Sequence, residues 1–396
     1  KMFPRSTHAQ YWIFSEDRLE AVRRAARAIP LRRLTPDTPS KGLVSSLAQV
    51  TVSTPGVNAA AAEGGASVPS STPAGRKRPS PDAVPLTDEE EAALVRMQLY
   101  RVFDFCDEFR APDTLRAIAC TFVKRFFLTS SVMEFFPPHI RAAAVWLACK
   151  VDEHLVGRGL HRQCAFFGVA REHVVDLEPV LVQGIRCHLV VHSPHKALAA
   201  LMQELRSHLK LGPDPADAEA IQMVPRGKDE EEDGADALFD EDDHGEEQDP
   251  VFSLYGIAPD SKLAPVLEAA REQLKLLMLT DAEFLFSPAQ VALAALVMGN
   301  AEMGHRFELH EFVSLIAGED GFPKLMTIVD KCTAMVKQLP SREEDDARKL
   351  ELMGQLMRCM NEANDVRSGS FRTHAAAASI AAPGAALLMA GLGASQ

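Results

Sequence analysis

Residues 137–149, PPHIRAAAVWLAC, constrain this chain more than any other stretch, because from Ile140 to Cys149 a helix is apolar on every side except at Arg141. A water-soluble helix that is hydrophobic all round belongs at the centre of a bundle, with other helices covering each of its faces. Pro137 and Pro138 suit a first helical turn. The run ends abruptly in Lys150-Val151-Asp152-Glu153, so Lys150 marks the point where a central helix reaches the surface. The same pattern returns in FSPAQVALAALVMG: Pro137 matches Pro288, Ile140 matches Val291, Ala143 and Ala144 match Ala294 and Ala295, and Val145 matches Leu296, at a constant offset of 151 residues. Ser287 and Gln290 have capping-box spacing at the second copy. Without an acidic insert described below, the repeat is about 100 residues, a normal size for one small helical domain. Since no alternating strand pattern occurs, the chain is expected to be all-α, with two similar five-helix repeats.

The other helices follow from period and caps. Thr87 and Glu90 form a capping box ahead of Val95, Leu99, Val102, Cys106 and Phe109, which read as the single buried face of a helix. After Ala111-Pro112, Leu115, Ile118, Phe122 and Phe126 make one stripe; helices are expected near 161–167 and 172–187. The second set begins at Ser193-Pro194 with Leu198, Leu201 and Leu205, and resumes after the insert over 264–279. At the N-terminus a short basic helix starts after Ser15, with Phe14 and Leu19 placed as a hydrophobic staple, and Pro30 is expected to stop it. Beyond Pro340, Ser341 and Glu344 form a further capping box, and Leu350, Met353, Met357 and Met360 are expected to share one face. The expected organisation is an N-terminal segment 1–30, a disordered linker 31–86, a first repeat 87–192, a second repeat 193–340 interrupted by an insert 211–262, a C-terminal helix 341–364 and a low-complexity tail 365–396.

Charge narrows the classes of function. The net charge is −13, but residues 229–249 hold 13 acidic groups and no Lys or Arg; the remainder carries 42 acidic and 42 basic residues. A formally neutral body lacks the footprint of a surface built to neutralise phosphates, and the run itself reads as a solvated insert. Seven dispersed cysteines without a CxxC pair fit reduced, buried thiols. The N-terminus lacks the long apolar core of a secretory signal, and the Ala-rich stretch 375–392 is interrupted by Pro383, Gly384 and Gly391, so it reads as a tail rather than an anchor. Asp152, Glu153, His154, His161 and Cys164 have neither HExxH spacing nor a Cys pair, so no metal is expected; no glycine-rich phosphate loop or nucleophile motif points to a cofactor or a catalytic centre.

Several segments in the same order resemble the cyclin family, and within it the H type: YWIFSEDRL, VKRFFLTSSVMEFF, LACKVDEHLVG, CHLVVHSPHKAL and LTDAEFLFSPAQVALAAL. The resemblance covers roughly residues 8–30 and 87–362, excluding the acidic insert. It implies two tandem cyclin-box repeats with extra terminal helices, and no enzyme activity of the chain's own. It implies instead a regulatory subunit of a cyclin-dependent kinase, of the CDK-activating kinase type. The implied partners are the kinase catalytic subunit, a RING-finger assembly factor and, through that complex, the core of transcription factor IIH, with neither nucleic acid nor membrane bound directly. Substrates of such an assembly are kinase activation loops and the C-terminal repeats of RNA polymerase II. The implied setting is the nucleus, with the cytoplasm second.

Residue by residue, the resemblance makes Lys150 the lysine ending the third helix of the cyclin box and Glu178 its partner glutamate in the fifth. Together they bond the kinase backbone, with Val151, Val182 and Leu189 supplying contact area. Pro179 departs from the family pattern, and the fifth helix is expected either to start near Glu178 or to bend there. The first helix of the repeat, VRMQLYRVFDFC, lacks the MRAIL-type motif by which some cyclins recruit substrates. Thr35, Thr38, Thr54, Thr72 and Ser80 each precede a proline and suit proline-directed kinases, and GRKRPSP at 75–81 has the basic character of a nuclear-localisation signal. Other transcriptional cyclins of the C, T or L types, and more remotely a TFIIB-like factor, share the architecture. The latter predicts a basic groove and usually an N-terminal zinc ribbon, whereas the first cysteine here is Cys106.

Overall fold

A computed structural model describes residues 3–34, 84–154, 159–211, 254–257 and 261–366; among these no strand occurs. The acidic run 229–249, the five Ser/Thr-Pro sites, the basic 75–81 motif and the Ala-rich tail lie outside the described residues. The N-terminal helices are α1 (Thr7–Tyr11) and α2 (Glu16–Leu34). The first repeat follows as α3 (Asp88–Glu108), α4 (Asp113–Thr129), α5 (Pro137–Val151), α6 (Leu160–Phe167) and α7 (Arg171–Gly184). The second comprises α8 (Pro194–His208), α9 (Ala264–Met278), a four-residue α10 (Ala282–Leu285), α11 (Pro288–Glu302), α12 (Leu309–Ala317) and α13 (Phe322–Lys337); α14 (Arg342–Val366) ends the described chain.

The internal repeat is visible in the helix starts. Helices α9, α11 and α13 each begin 151 residues after α4, α5 and α7. At the centre of the first repeat, Ile140, Ala142, Ala143, Ala144 and Val145 of α5 are fully enclosed, and Ala292, Ala294, Ala295 and Leu296 of α11 repeat this in the second. Small residues let neighbouring backbones approach from all sides, as at Gly299, where a Cβ would come within 2.5 Å of the Ala270 nitrogen. Arg141, the one polar residue in the α5 run, is itself buried. Its Nη1 donates to Gln98 Oε1 at 2.8 Å, its guanidinium lies 4.5 Å over the Phe167 ring, and burial lowers its pKa to about 9. The expected caps form: Glu90 accepts from the Thr87 amide at 2.7 Å, Gln290 from Ser287 at 2.9 Å and Glu344 from Ser341 at 3.2 Å.

Several expectations need correction. Helix α2 runs through Pro30 to Leu34, because proline removes one donor without forbidding the φ of a helix, so 31–34 are not linker. The end of the expected linker is also held: Leu86 is buried and its carbonyl accepts from Arg27. Helix α3 buries two faces rather than one. Leu99, Val102 and Cys106 join the first-repeat core, while Leu94 and Met97 pack in a separate cluster with Leu352, Leu356, Cys359 and Met360 of α14. The buried stripe of α14 thus shares only Met360, with Met353 at its edge, with the expected one, and Leu350 is 69% exposed. The bidentate bond from Arg96 to the buried Asp345, at 2.5 and 2.7 Å, sets that rotation of α14. Of the seven cysteines, all reduced, Cys187 is exposed and the other six are buried.

The expected insert also shortens, because Leu254–Ile257 belong to the fold. Tyr255 and Ile257 are buried in the second-repeat core. Tyr255 reaches the junction between repeats, where its hydroxyl lies 2.8 Å from His195 Nδ1 and donates to Asp113 Oδ2 at 3.4 Å. A second bridge comes from buried Lys124 of the first repeat, which donates to the carbonyls of Met278 and Thr280 at 3.1 and 2.5 Å and pairs with Glu283. The N-terminal segment closes the same seam. Trp12 Nε1 donates to His188 Nδ1 at 3.0 Å, the Phe14 amide to the Phe284 carbonyl at 2.7 Å, and Arg23 makes a bidentate pair with Asp281.

Candidate functional site

The end of α5 is built to present one lysine. The helix closes with Asp152 donating its amide to the Ala148 carbonyl and His154 to the Cys149 carbonyl, which requires Glu153 to adopt a left-handed φ of 56°. Asp152 is fastened by the Thr114 hydroxyl at 2.9 Å, which ties the turn to the start of α4. Lys150 therefore leaves the bundle from a fixed helix end, where the helix dipole favours a cation. Its ammonium bonds Glu178 Oε1 of α7. The lysine side chain is 39% exposed and the glutamate 23%, so the pair sits at the rim of the repeat rather than in its core. An ammonium carries three donors and a carboxylate has acceptor capacity to spare. Each partner thus keeps hydrogen-bonding capacity that a polypeptide backbone, with both N–H and C=O groups, can use.

Val151 follows Lys150 on α5, Val182 lies one turn after Glu178 on α7, and Leu189 follows that helix. Val151, Val182 and Leu189 are half-buried and packed on the first-repeat core, with their remaining surface outward. Helix α7 starts at Arg171 and continues past Pro179 to Gly184, so a late start at Glu178 does not occur, and Glu178 pairs with Lys150 from within the helix. Three residues that sequence reasoning missed extend the face. Trp146, one turn before Lys150, lies beneath the ammonium with 5.5 Å from nitrogen to ring centroid, and Val175 and Val190 are exposed apolar side chains on α7 and beyond it. Trp146 was legible from its i, i+4 spacing to Lys150; Val175 and Val190 carried no such signal.

The second repeat shows what the fold itself requires. At the same offset, Lys150 and Glu178 correspond to Ala301 and Val329, and Trp146 to Val297. An equivalent pair of helices packs there without any ion pair, so the pair is not a condition of the bundle. On α3, Leu94 and Met97 are covered by α14, and Arg342 of α14 bonds Asp104 at 2.7 Å. Among the described residues no group of three or more His, Cys, Asp or Glu side chains is gathered as for a metal ion, and no helix is long and apolar enough to cross a membrane.

Comparison with known proteins bears on this arrangement. The family described as "Cyclin C-terminal domain" matches residues 193–337. "Cyclin-H1-1" of Arabidopsis thaliana is 24% identical over 273 residues, 67% of this chain and 66% of its own length. "Cyclin-H" of Xenopus laevis is 25% identical over 272 residues, 66% of this chain and 69% of its own. The chain is cyclin H-like. A solved structure of the CAK complex from Chaetomium thermophilum bound to ATP-gamma-S contains a chain with the same fold, at a TM-score of 0.55 and 22% identity, covering 92% of this chain and 88% of that one. The all-α cyclin-box architecture read from the sequence is thus the architecture of the molecule, with Lys150 at the end of the central helix of its first box.

Proposed function

We propose that this chain is the regulatory subunit of a cyclin-dependent kinase of the CDK-activating kinase type, and that Lys150 and Glu178 are the polar centre of the kinase contact. The observation that carries the reading is the surface ion pair itself, present in a cyclin H-like chain at the first repeat and replaced by Ala301 and Val329 at the second. The chain does no chemistry in this reading. Lys150 satisfies backbone carbonyls and Glu178 backbone N–H groups of the kinase beside its C helix, while Val151, Val182 and Leu189 bury apolar area around them. Holding the C helix inward lets the kinase's own glutamate reach its ATP-binding lysine. The subunit therefore acts by binding the competent conformation better than the incompetent one.

The wider assignment follows the same relatives. It comprises a RING-finger assembly factor and the core of transcription factor IIH as further partners, activation loops and polymerase C-terminal repeats as substrates of the assembly, and a nuclear setting. The test is phosphorylation of a polymerase C-terminal-repeat peptide by the catalytic subunit of a CDK-activating kinase, alone, with this chain, and with its Lys150→Ala, Glu178→Ala variant. Activation by the wild type and its loss in a variant with unchanged circular dichroism is the expected result. Equal activation by the variant would move the contact elsewhere, and no activation by the wild type would reject the partner.

A further inference from the structure

Pro179 stands inside α7, yet the helix continues on both sides of it, from Arg171 to Gly184. Proline has no amide hydrogen, so the carbonyl four residues earlier, that of Val175, loses the donor an uninterrupted helix would give it. Residues 175, 178, 179 and 182 are spaced i, i+3, i+4 and i+7 and share one face. Val175 is 47% exposed, Pro179 is exposed, and Glu178 and Val182 are half-buried. The Val175 carbonyl, deprived of its i+4 donor, lies on the stretch of α7 that carries the Lys150–Glu178 pair, three residues or about 4.5 Å along the axis before Glu178. The matching helix of the second repeat, α13, has Asp330 in place of Pro179 and keeps that backbone donor. The interruption thus occurs only in the repeat that holds the ion pair.

We propose that the Val175 carbonyl is a third polar contact of the kinase-docking face, accepting a hydrogen bond from an N–H of the docked kinase segment, and that Pro179 keeps it available. The inference rests on the docking role of Lys150 and Glu178 proposed above. A docked backbone offers both donors and acceptors. Lys150 serves only acceptors, and Glu178 accepts at a single point, so an additional acceptor about one turn away extends the set of backbone N–H groups the face can satisfy. Because the helix is already formed, a partner N–H can bond this carbonyl with little reorganisation. Restoring an amide at position 179 would close the helix ladder, favouring the folded chain while withdrawing the acceptor from the partner. Stability and affinity are therefore expected to move in opposite directions.

The experiment measures, for the full chain, the melting temperature and the dissociation constant for the catalytic subunit of a CDK-activating kinase. The set is wild type, Pro179→Ala, Lys150→Ala, and a chain with ester-linked lactate at position 179, introduced by nonsense suppression, which lacks both the ring and the N–H. Pro179→Ala is expected to raise the melting temperature and weaken binding about three- to tenfold, the worth of one hydrogen bond. The ester variant is expected to bind like the wild type, because its Val175 carbonyl stays free. Unchanged or tighter binding by Pro179→Ala overturns the proposal. So does an ester variant as weak as Pro179→Ala, which would give the contact to the proline ring. Undiminished binding by Lys150→Ala, or none by the wild type, would instead overturn the docking role, and this proposal with it.

Discussion

Asp113 of the first repeat accepts a hydrogen bond from Arg271 Nε of the second at 2.8 Å, with both side chains largely removed from solvent. This one carboxylate also faces Tyr255, His195 and Arg116, so residues far apart in the chain converge on it. Breaking a buried pair by removing one member leaves the other charge without compensation, at a cost of about 3–5 kcal/mol. Asp113→Ala is therefore expected to lose stability on that scale in denaturant unfolding. Adding Arg271→Met should recover part of the loss, whereas strict additivity would show that the two side chains act independently.

Three buried or half-buried histidines make the fold sensitive to mild acid. Burial, with neighbouring charges, holds His8 at about 3 and His139 and His195 at about 4, against an ordinary value of 6.5. Below pH 6.5 the unfolded chain takes up protons that the folded chain refuses until about pH 4. Their stabilisation is complete above pH 6.5 and falls as the pH drops from 6.5 toward 4, by on the order of several kcal/mol in sum. For Asp113, burial pushes the carboxyl up, but His195, Arg271 and Arg116 outweigh it and hold it at about 2; its contribution is lost only at lower pH, as the pH falls from 3.8 through 2. Denaturation midpoints at pH 7.5 and 5 should differ markedly, and His195→Gln should reduce the difference.

Gly299 tests how closely the central helix of the second repeat is approached. In an exposed helix, Gly→Ala gains about 1 kcal/mol. Here the added Cβ would meet backbone, the Ala270 nitrogen at 2.5 Å and the Ala269 carbonyl carbon at 2.8 Å, and neither is the end of a flexible side chain. Gly299→Ala is expected to destabilise by about 1–3 kcal/mol, the range for an overpacked core. A raised melting temperature would mean that α9 and α11 separate more freely than their packing indicates.

Helix α14 rests on a small cluster of its own, so its loss should be local. Leu356 is fully buried there between α3 and α14. Leu356→Ala removes about 2–5 kcal/mol of packing, expected to appear as faster amide exchange over 342–366 with α5 still protected. Equal loss of protection in α5 would show that α14 and the first repeat unfold as one unit.

How much was legible depends on where the deciding partner lies. Helices α5 and α11 could be read outright, because an all-round apolar run has only one home, and the boxes at Thr87, Ser287 and Ser341 are local grammar. The second buried face of α3 could not, since Leu94 and Met97 acquire meaning only from Leu352 and Leu356 at the far end of the chain. Within α14 itself, Leu and Met occur on more than one face, and Arg96 decides which turns inward. Tyr255 was hidden beside the acidic insert, and its burial follows from partners remote in sequence, among them His195, Asp113 and Arg271. At the candidate site, Lys150 and Glu178 were found by resemblance to the cyclins. Trp146 beneath the lysine needed only helical spacing, and the two exposed valines needed the structure.

The absence of the ion pair from the second repeat has a bearing on assembly. A duplicated domain would ordinarily offer two equivalent grips and invite a partner to bind twice, bridging copies into larger aggregates. Here Ala301 and Val329 occupy the second grip. If the kinase contact is the one proposed above, a partner docking on Lys150 and Glu178 meets that arrangement once per chain, and the duplication brings no bivalency through this pair.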